Sequence, residues 1–211
     1  LIVIKSTISP LTTEMLSNKY QNLQFCHNPE FLKASTAYHD FHNQSHIVLG
    51  RGQNCSNNNY MMLIDFYKTY WPDATISSCT SDESESMKIF INSFYASKIQ
   101  LFNEYYLLCN KLNIDFETVR SLMLKNNRIN PSDTMVPGPD GELGYGGACF
   151  PKDTNALLST MKKAESEYKV LESVIQERNK VRPYDSETQL YNEGGLKKKI
   201  KKENEKLNAK S

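Results

Sequence analysis

Between Ser81 and Asn113 the apolar residues Met87, Phe90, Phe94, Phe102, Tyr105, Leu108 and Leu112 recur at spacings near three and four. An α-helix returns to the same face about every 3.6 residues, so this run predicts one helix of about seven turns ending near Asn113. Asp82 and Glu83 stand at its start, where a helix N-terminus favours negative charge. A rod of that length needs a helical layer beside it, and it divides the chain into two textures.

Before it, Leu1 to Ser6 is an apolar, β-branched run bounded by Ser9 and Pro10, as for a strand buried on both faces. Thr12 or Thr13 can cap a short helix to about Lys19. Asn22 to Cys26 and His46 to Leu49 read as short strands, the second ended by Gly50-Arg51-Gly52. Asn59 to Tyr70 carries Met62, Ile64, Phe66, Tyr67 and Tyr70 at helical spacing, and Pro72 stops it. This order is that of an α/β fragment, part of a parallel sheet. After the long helix, Ile114 to Lys125 reads as a helix started by Asp115, and 131–145 as a loop rich in Pro and Gly. Asp153 or Thr154 can cap a helix to about Lys163, and Glu172 to Val181 suggests another. The expected organisation is therefore 1–80 α/β, 81–180 all-α, and a lysine-rich tail, 181–211.

The tail matters because 25 basic residues against 24 acidic ones give a net charge of only +1. Seven lysines and two glutamates in 196–211 put +5 there and leave −4 on the remainder. A solvated, fraying end is the expected reading, with a nucleic-acid or partner-binding arm as the alternative. A net charge of +1 gives no long-range field to draw in nucleic acid or anionic lipid, and no aromatic residue interleaves the lysines, so neither a nucleic-acid partner nor a membrane partner is expected. No stretch approaches the roughly 18 apolar residues of a membrane-spanning helix. Five widely spaced cysteines without a CxxC pair suggest a reducing compartment, hence a soluble, cytoplasmic protein. The chain starts with Leu1 inside a strand, so a preceding segment is expected.

Chemistry concentrates in Gly144-Tyr145-Gly146-Gly147-Ala148-Cys149-Phe150-Pro151-Lys152-Asp153. Its glycines let backbone pass close to a ligand and deliver a cysteine just before a helix. A thiol beside a helix N-terminus and Lys152 would have a stabilised thiolate, which suits a nucleophile. A small buried cysteine in a glycine turn is the other reading of the same residues. Lys88 and Asn92 are one helical turn apart, and Asn103 returns to nearly the same face. This polar stripe is either functional or solvent-facing. His39, His42 and His46 form an HxxHxxxH spacing for which no metal role is expected.

The glycine-cysteine segment resembles the cysteine loop of the UDP-glucose/GDP-mannose dehydrogenase family. Lys5-Ser6-Thr7-Ile8 is similar to the strand end beside the nicotinamide, and Asn28-Pro29-Glu30-Phe31-Leu32 to the family's substrate-clamping turn. Asp40-Phe41, Ile47-Val48-Leu49-Gly50, Lys88 with Asn92, Asn103-Glu104 and Asn127-Arg128-Ile129 follow in the family's order. The resemblance implies the end of a Rossmann-like NAD-binding domain over 1–80 and a central dimerisation domain over 81–180. It implies oxidation of a nucleotide sugar, UDP-glucose rather than GDP-mannose from the Tyr145 and Pro151 pattern, to the uronate in two NAD-dependent steps. Cys149 would form the thiohemiacetal and thioester; Asp153 would position or activate water; Glu30 would support general base work. Lys88 and Asn92 would stabilise the oxyanion, and Thr7 would touch cofactor and substrate water. Cofactor contacts fall to Ser6, Thr7 and Lys152. Substrate contacts fall to Glu30, Phe31, Leu32, Lys33, Lys88, Asn92, Gly144, Tyr145 and Gly146, with Arg128 reaching a neighbouring subunit's substrate. A homodimer through the long helix is implied, with Phe90, Phe94, Phe102 and Tyr105 as core or dimer contacts.

The chain also departs from the family. No glycine precedes Gly50, so the GxGxxG pyrophosphate turn is not among these residues, and the tail is too short for the family's third domain. Leu11 stands where a glycine commonly follows the proline, Ala34-Ser35 replace a usual Glu-Gly pair, and 136–141 carries extra Pro and Gly. The expectation is a segment of such an enzyme that is inactive alone. A non-catalytic dimerisation module derived from the family is the alternative.

Overall fold

The computed structural model describes residues 1–32 and 36–182, so Lys33, Ala34-Ser35 and the lysine-rich tail from 183 onward lie outside the described residues. The chain forms two compact units that part between Ile91 and Asn92.

The first unit is built on a four-stranded sheet, β1 (Ile2–Ile4), β2 (Phe25–His27), β3 (His46–Arg51) and β4 (Thr75–Thr80), in that order across the sheet. Its helices are α1 (Thr12–Lys19), α2 (Ala37–His42) and α3 (Asn57–Tyr70). The outer pairs are parallel, as the α/β pattern predicts, but β2 and β3 are antiparallel, with His27 opposite Gly50. The chain turns back after Asn28, whose side-chain amide donates to the Val48 carbonyl at 2.8 Å, so β3 runs against β2. Cys26, Ile47, Leu49, Cys55, Tyr60, Leu63 and Tyr67 make the core between sheet and α3. The Ser56 hydroxyl accepts from Asn59 N and starts α3 two residues before its expected beginning.

The expected threonine cap of α1 is absent. The residue before the helix is Leu11, with φ of 69°, and the cap comes from far away in sequence: Glu85 accepts from Thr12 N at 3.1 Å and Thr13 N at 2.8 Å. Two elements were not expected from sequence. The six-residue α2 has no buried residue, and β4 mixes β-branched with small polar residues while burying little.

Helix α4 (Ser81–Leu112) begins in the first unit and continues into the second. Its bounds are those expected, and its 32 residues make about nine turns rather than seven because the apolar run leaves out the polar first turns. It ends at Asn113, whose φ of 55° lets Ile114 N reach back to the Cys109 carbonyl. The second unit then adds α5 (Phe116–Leu124), α6 (Phe150–Lys163) and α7 (Lys169–Val181), with no strand among its described residues. Asp115 caps α5 as expected, accepting from Glu117 N and Thr118 N. Phe102, Cys109 and Phe116 form this unit's apolar core. Among the described residues no helix is long and apolar enough to cross a membrane.

The aromatic residues of α4 sort into two roles. Phe102 is buried and Tyr105 packs on the same core, whereas Phe90 and Phe94 are exposed. With Leu101, Leu108 and Leu112, also exposed, they fall within about 40° of one another around the helix axis.

Candidate active site

Within the first unit the C-terminal end of β1 delivers Lys5, Ser6 and Thr7. The Lys5 ammonium donates to Asn28 Oδ1 at 2.5 Å, and the Tyr67 hydroxyl donates to the same oxygen. Asn28 is completely buried, and its N–H donates to the Ile4 carbonyl at 2.8 Å. Bonds to β1 and its end, to β3 and to α3 therefore fix the residue from which the Pro29-Glu30-Phe31-Leu32 turn springs. Glu30 folds back on that turn, its carboxylate accepting from Leu32 N at 2.6 Å. Lys88 projects from α4 with its ammonium 5.0 Å from the centre of the Phe31 ring. Lys88 is only 6% exposed, so Glu30, Phe31 and Lys88 form a compact group and the stripe is not a solvent face.

His27 lies beneath this group, fully buried. Its Nδ1 is 2.8 Å from the Ser84 hydroxyl and its Nε2 3.2 Å from the Ser6 carbonyl. Because a carbonyl only accepts, Nε2 carries the proton and Nδ1 accepts from Ser84. Burial holds the His27 pKa below its ordinary value, and the charges of Lys5 and Lys88 push the same way against the Ser6 bond. The neutral ring thus joins the residue before Thr7 to the turn of α4 that carries Lys88.

Within the second unit Cys149 occupies the N-terminal cap position of α6 and is exposed. The helix thus starts three residues before its expected cap. Asp153 is instead a first-turn residue whose N–H donates to the Cys149 carbonyl at 2.9 Å. Its carboxylate is 1% exposed, accepts from Asn92 Nδ2 at 2.6 Å and pairs with the Lys152 ammonium. Asn92 and Asn103 are buried. Asn103 Oδ1 accepts from Gly144 N at 2.9 Å, holding the entrance of the glycine loop to α4. Arg128 is exposed, just after Asn127 with its φ of 61°.

The glycines at 144 and 146 admit protein rather than open space. A Cβ at Gly146 would lie 2.3 Å from the Arg182 guanidinium, and one at Gly144 would lie 3.2 Å from Val181. Gly144 also has φ of 70°. Arg182 pairs with Asp140 at 2.8 Å, and Arg178 donates from Nε to the Tyr145 carbonyl at 2.8 Å. Sequence reasoning missed His27, Glu85 and these two arginines. Only Arg178 carried a signal: with Leu171 and Ile175 it completes an i, i+4, i+7 face, and all three are buried. The three histidines of the HxxHxxxH spacing go separate ways: His46 to the Ser77 hydroxyl, His42 to the Tyr38 carbonyl, His39 beside Asp40.

Residues 1–70 match the NAD binding domain of the UDP-glucose/GDP-mannose dehydrogenase family, and residues 82–180 match its central domain. The chain belongs to that family. A UDP-glucose 6-dehydrogenase of Rickettsia bellii is 34% identical over 191 residues, 87% of this chain and 41% of the relative. YwqF, a UDP-glucose 6-dehydrogenase of Bacillus subtilis, is 33% identical over 186 residues, 84% of this chain and 40% of the relative. A solved UDP-glucose dehydrogenase from Pyrobaculum islandicum superposes with a TM-score of 0.73 at 30% identity, covering 84% of this chain and 40% of that one. The chain thus spans about two fifths of the curated relatives it matches. NAD is the cofactor that membership implies. The residues present fit one end of it: an exposed Ser6 followed by Thr7 at the C-terminal end of a parallel strand, where such sheets bind ligands.

Proposed function

We propose that this chain carries the catalytic groups of a cytoplasmic nucleotide-sugar dehydrogenase that oxidises UDP-glucose to UDP-glucuronate. The observation that carries the reading is the start of α6: an exposed thiol at the helix cap, with a buried carboxylate in the next turn held by Asn92 and Lys152. UDP-glucose is preferred to GDP-mannose because the relatives at 33–34% identity are named for UDP-glucose.

NAD, when bound, supplies the hydride acceptor, with Ser6, Thr7 and Lys152 as its contacts on this chain. In the first step the proton of the sugar's terminal hydroxyl passes to water and the hydride leaves its carbon, giving an aldehyde. The Cys149 thiolate then forms an S–C bond to that carbon, and the oxyanion so created is stabilised by Lys88 and Asn92. The thiohemiacetal alkoxide again bears a transferable hydrogen, and loss of that hydride alone gives a thioester. Water adds to the thioester, its proton taken by Asp153 or Glu30, and the C–S bond breaks to release the acid and restore the thiol. Phe31, Leu32 and Lys33 with Gly144, Tyr145 and Gly146 hold the sugar, and Arg128 reaches the substrate of a neighbouring copy. The exposed stripe on α4 supports a homodimer.

The intact polypeptide is expected to form two NADH per UDP-glucose, and Cys149→Ser to lose the acid product. One NADH per sugar, or acid formed without the thiol, would contradict the mechanism.

A further inference from the structure

Arg178 sits on the buried face of α7 where the pattern of Leu171 and Ile175 calls for a third apolar residue. A guanidinium there is costly to desolvate, so its bonds must account for it. Nε donates to the Tyr145 carbonyl at 2.8 Å, one terminal nitrogen donates to Asn179 Oδ1 at 3.0 Å, and the cation lies 5.5 Å from the centre of the Tyr145 ring.

Tyr145 is itself only 2% exposed, and its hydroxyl lies 3.4 Å from Thr154 Oγ1 on α6. The Thr154 hydroxyl donates to the Phe150 carbonyl at 2.8 Å. That hydroxyl has one proton, shared between the carbonyls of Phe150 and, at 3.2 Å, Pro151, so the Tyr145 O–H is the donor between the two. The result is a directed relay: Arg178 to Tyr145, Tyr145 to Thr154, and Thr154 to the carbonyl of the residue that follows Cys149. Asn103 holds Gly144 from α4, and only Gly146, Gly147 and Ala148 separate Tyr145 from the thiol.

We propose that Arg178 is a positioning residue for Cys149, acting through Tyr145 and Thr154 to fix the thiol at the cap of α6. The inference rests on Cys149 being the nucleophile, but its test does not depend on turnover.

In the intact polypeptide, the alkylation rate of Cys149 by iodoacetamide is followed against pH, alongside thermal unfolding. Arg178→Met is expected to slow Cys149 alkylation at neutral pH by about 3- to 10-fold and move its half-maximal pH upward, as a thiol leaves the helix N-terminus. Arg178→Lys, which keeps one donor, should recover part of that loss. Leu171→Ala, on the same face of α7, should lower the unfolding temperature with the Cys149 profile unchanged. Should Arg178→Met not fold, Tyr145→Phe breaks the relay while keeping the ring and should shift the profile in the same direction. A folded Arg178→Met or Tyr145→Phe with the wild-type profile overturns the proposal, as does an equal shift in Leu171→Ala. Failure of the nucleophile assignment is seen separately, as acid product from Cys149→Ser.

Discussion

The side-chain amide of Asn92 donates to Asp153 Oδ2 at 2.6 Å, joining α4 to the first turn of α6 across 61 residues. The acceptor is a carboxylate that is 1% exposed, with Lys152 on its other oxygen. Removing the amide leaves a buried charge short of a donor, which costs about 1–3 kcal/mol. Asn92→Ala is therefore expected to lower unfolding stability by that amount in urea. Asn92→Asp should cost more, because it sets two carboxylates against each other. Equal stability of all three proteins would mean that the bond contributes nothing net.

Glu85 ties the two ends of the first unit together, since it caps α1 from α4. Glu85→Ala should cost about 1–2 kcal/mol, the upper range for a lost helix cap. Burial raises the Glu85 pKa above its ordinary 4.5, against the opposing bonds from Thr13 and Thr12. The folded protein then binds the proton more tightly than the unfolded chain, so this group's contribution to stability falls as pH rises through the window just above 4.5. Glu85→Gln keeps an acceptor and removes the titration. Its stability profile should lack that decline, and a profile parallel to wild type would refute the assignment.

His27 has the opposite sign. Its pKa is lowered by burial, so the unfolded chain binds the proton more readily, and stability should fall as pH drops below the ordinary 6.5. Protonation also removes the Nδ1 acceptor of Ser84. His27→Gln should flatten the loss between about pH 6.5 and the acid limb, measured by unfolding at a series of pH values. A wild-type protein equally stable on both sides of that window would count against a neutral buried ring.

Leu11 occupies a left-handed conformation, φ 69°, at a site more than half exposed. Left-handed backbone costs a residue with a Cβ about 1–2 kcal/mol, and glycine gives back about 0.5–1 kcal/mol in unfolded-chain entropy. Leu11→Gly should therefore stabilise by about 0.5 kcal/mol, whereas Leu11→Ala should not. Stabilisation by alanine alone would point to the exposed side chain instead.

The legible parts of the chain were those fixed by local periodicity. The apolar spacing of α4, the Asp115 cap and the cysteine before α6 each depend on neighbours in sequence, and each is found. Lys88 and Asn92 were legible from spacing as one polar stripe, but the roles of Glu30, Lys88, Asn92 and Asp153 were legible only through the resemblance. The antiparallel pairing of β2 with β3 was not legible, because the turn after Asn28 is fixed by bonds to β1, β3 and α3. The Glu85 cap was invisible for the same reason: donor and acceptor are 72 residues apart at Thr13. Leu11 was visible as an oddity, and its backbone conformation gives the reason why glycine is common there.

Five residues of α4, Phe90, Phe94, Leu101, Leu108 and Leu112, expose apolar side chains along one side of the helix, interrupted by Ser97 and Glu104, with Phe94 65% and Leu112 58% exposed. A second copy of the same helix would cover these side chains with matching chemistry. Phe94→Glu places a charge among them, while its effect on the isolated protomer should stay within about 0.5 kcal/mol because the site is exposed. Wild type should therefore sediment as a dimer and the variant as a monomer of unchanged helix content. A wild-type monomer at high concentration would remove the dimer from the proposed function, while leaving the chemistry at Cys149 to be judged on its own assay.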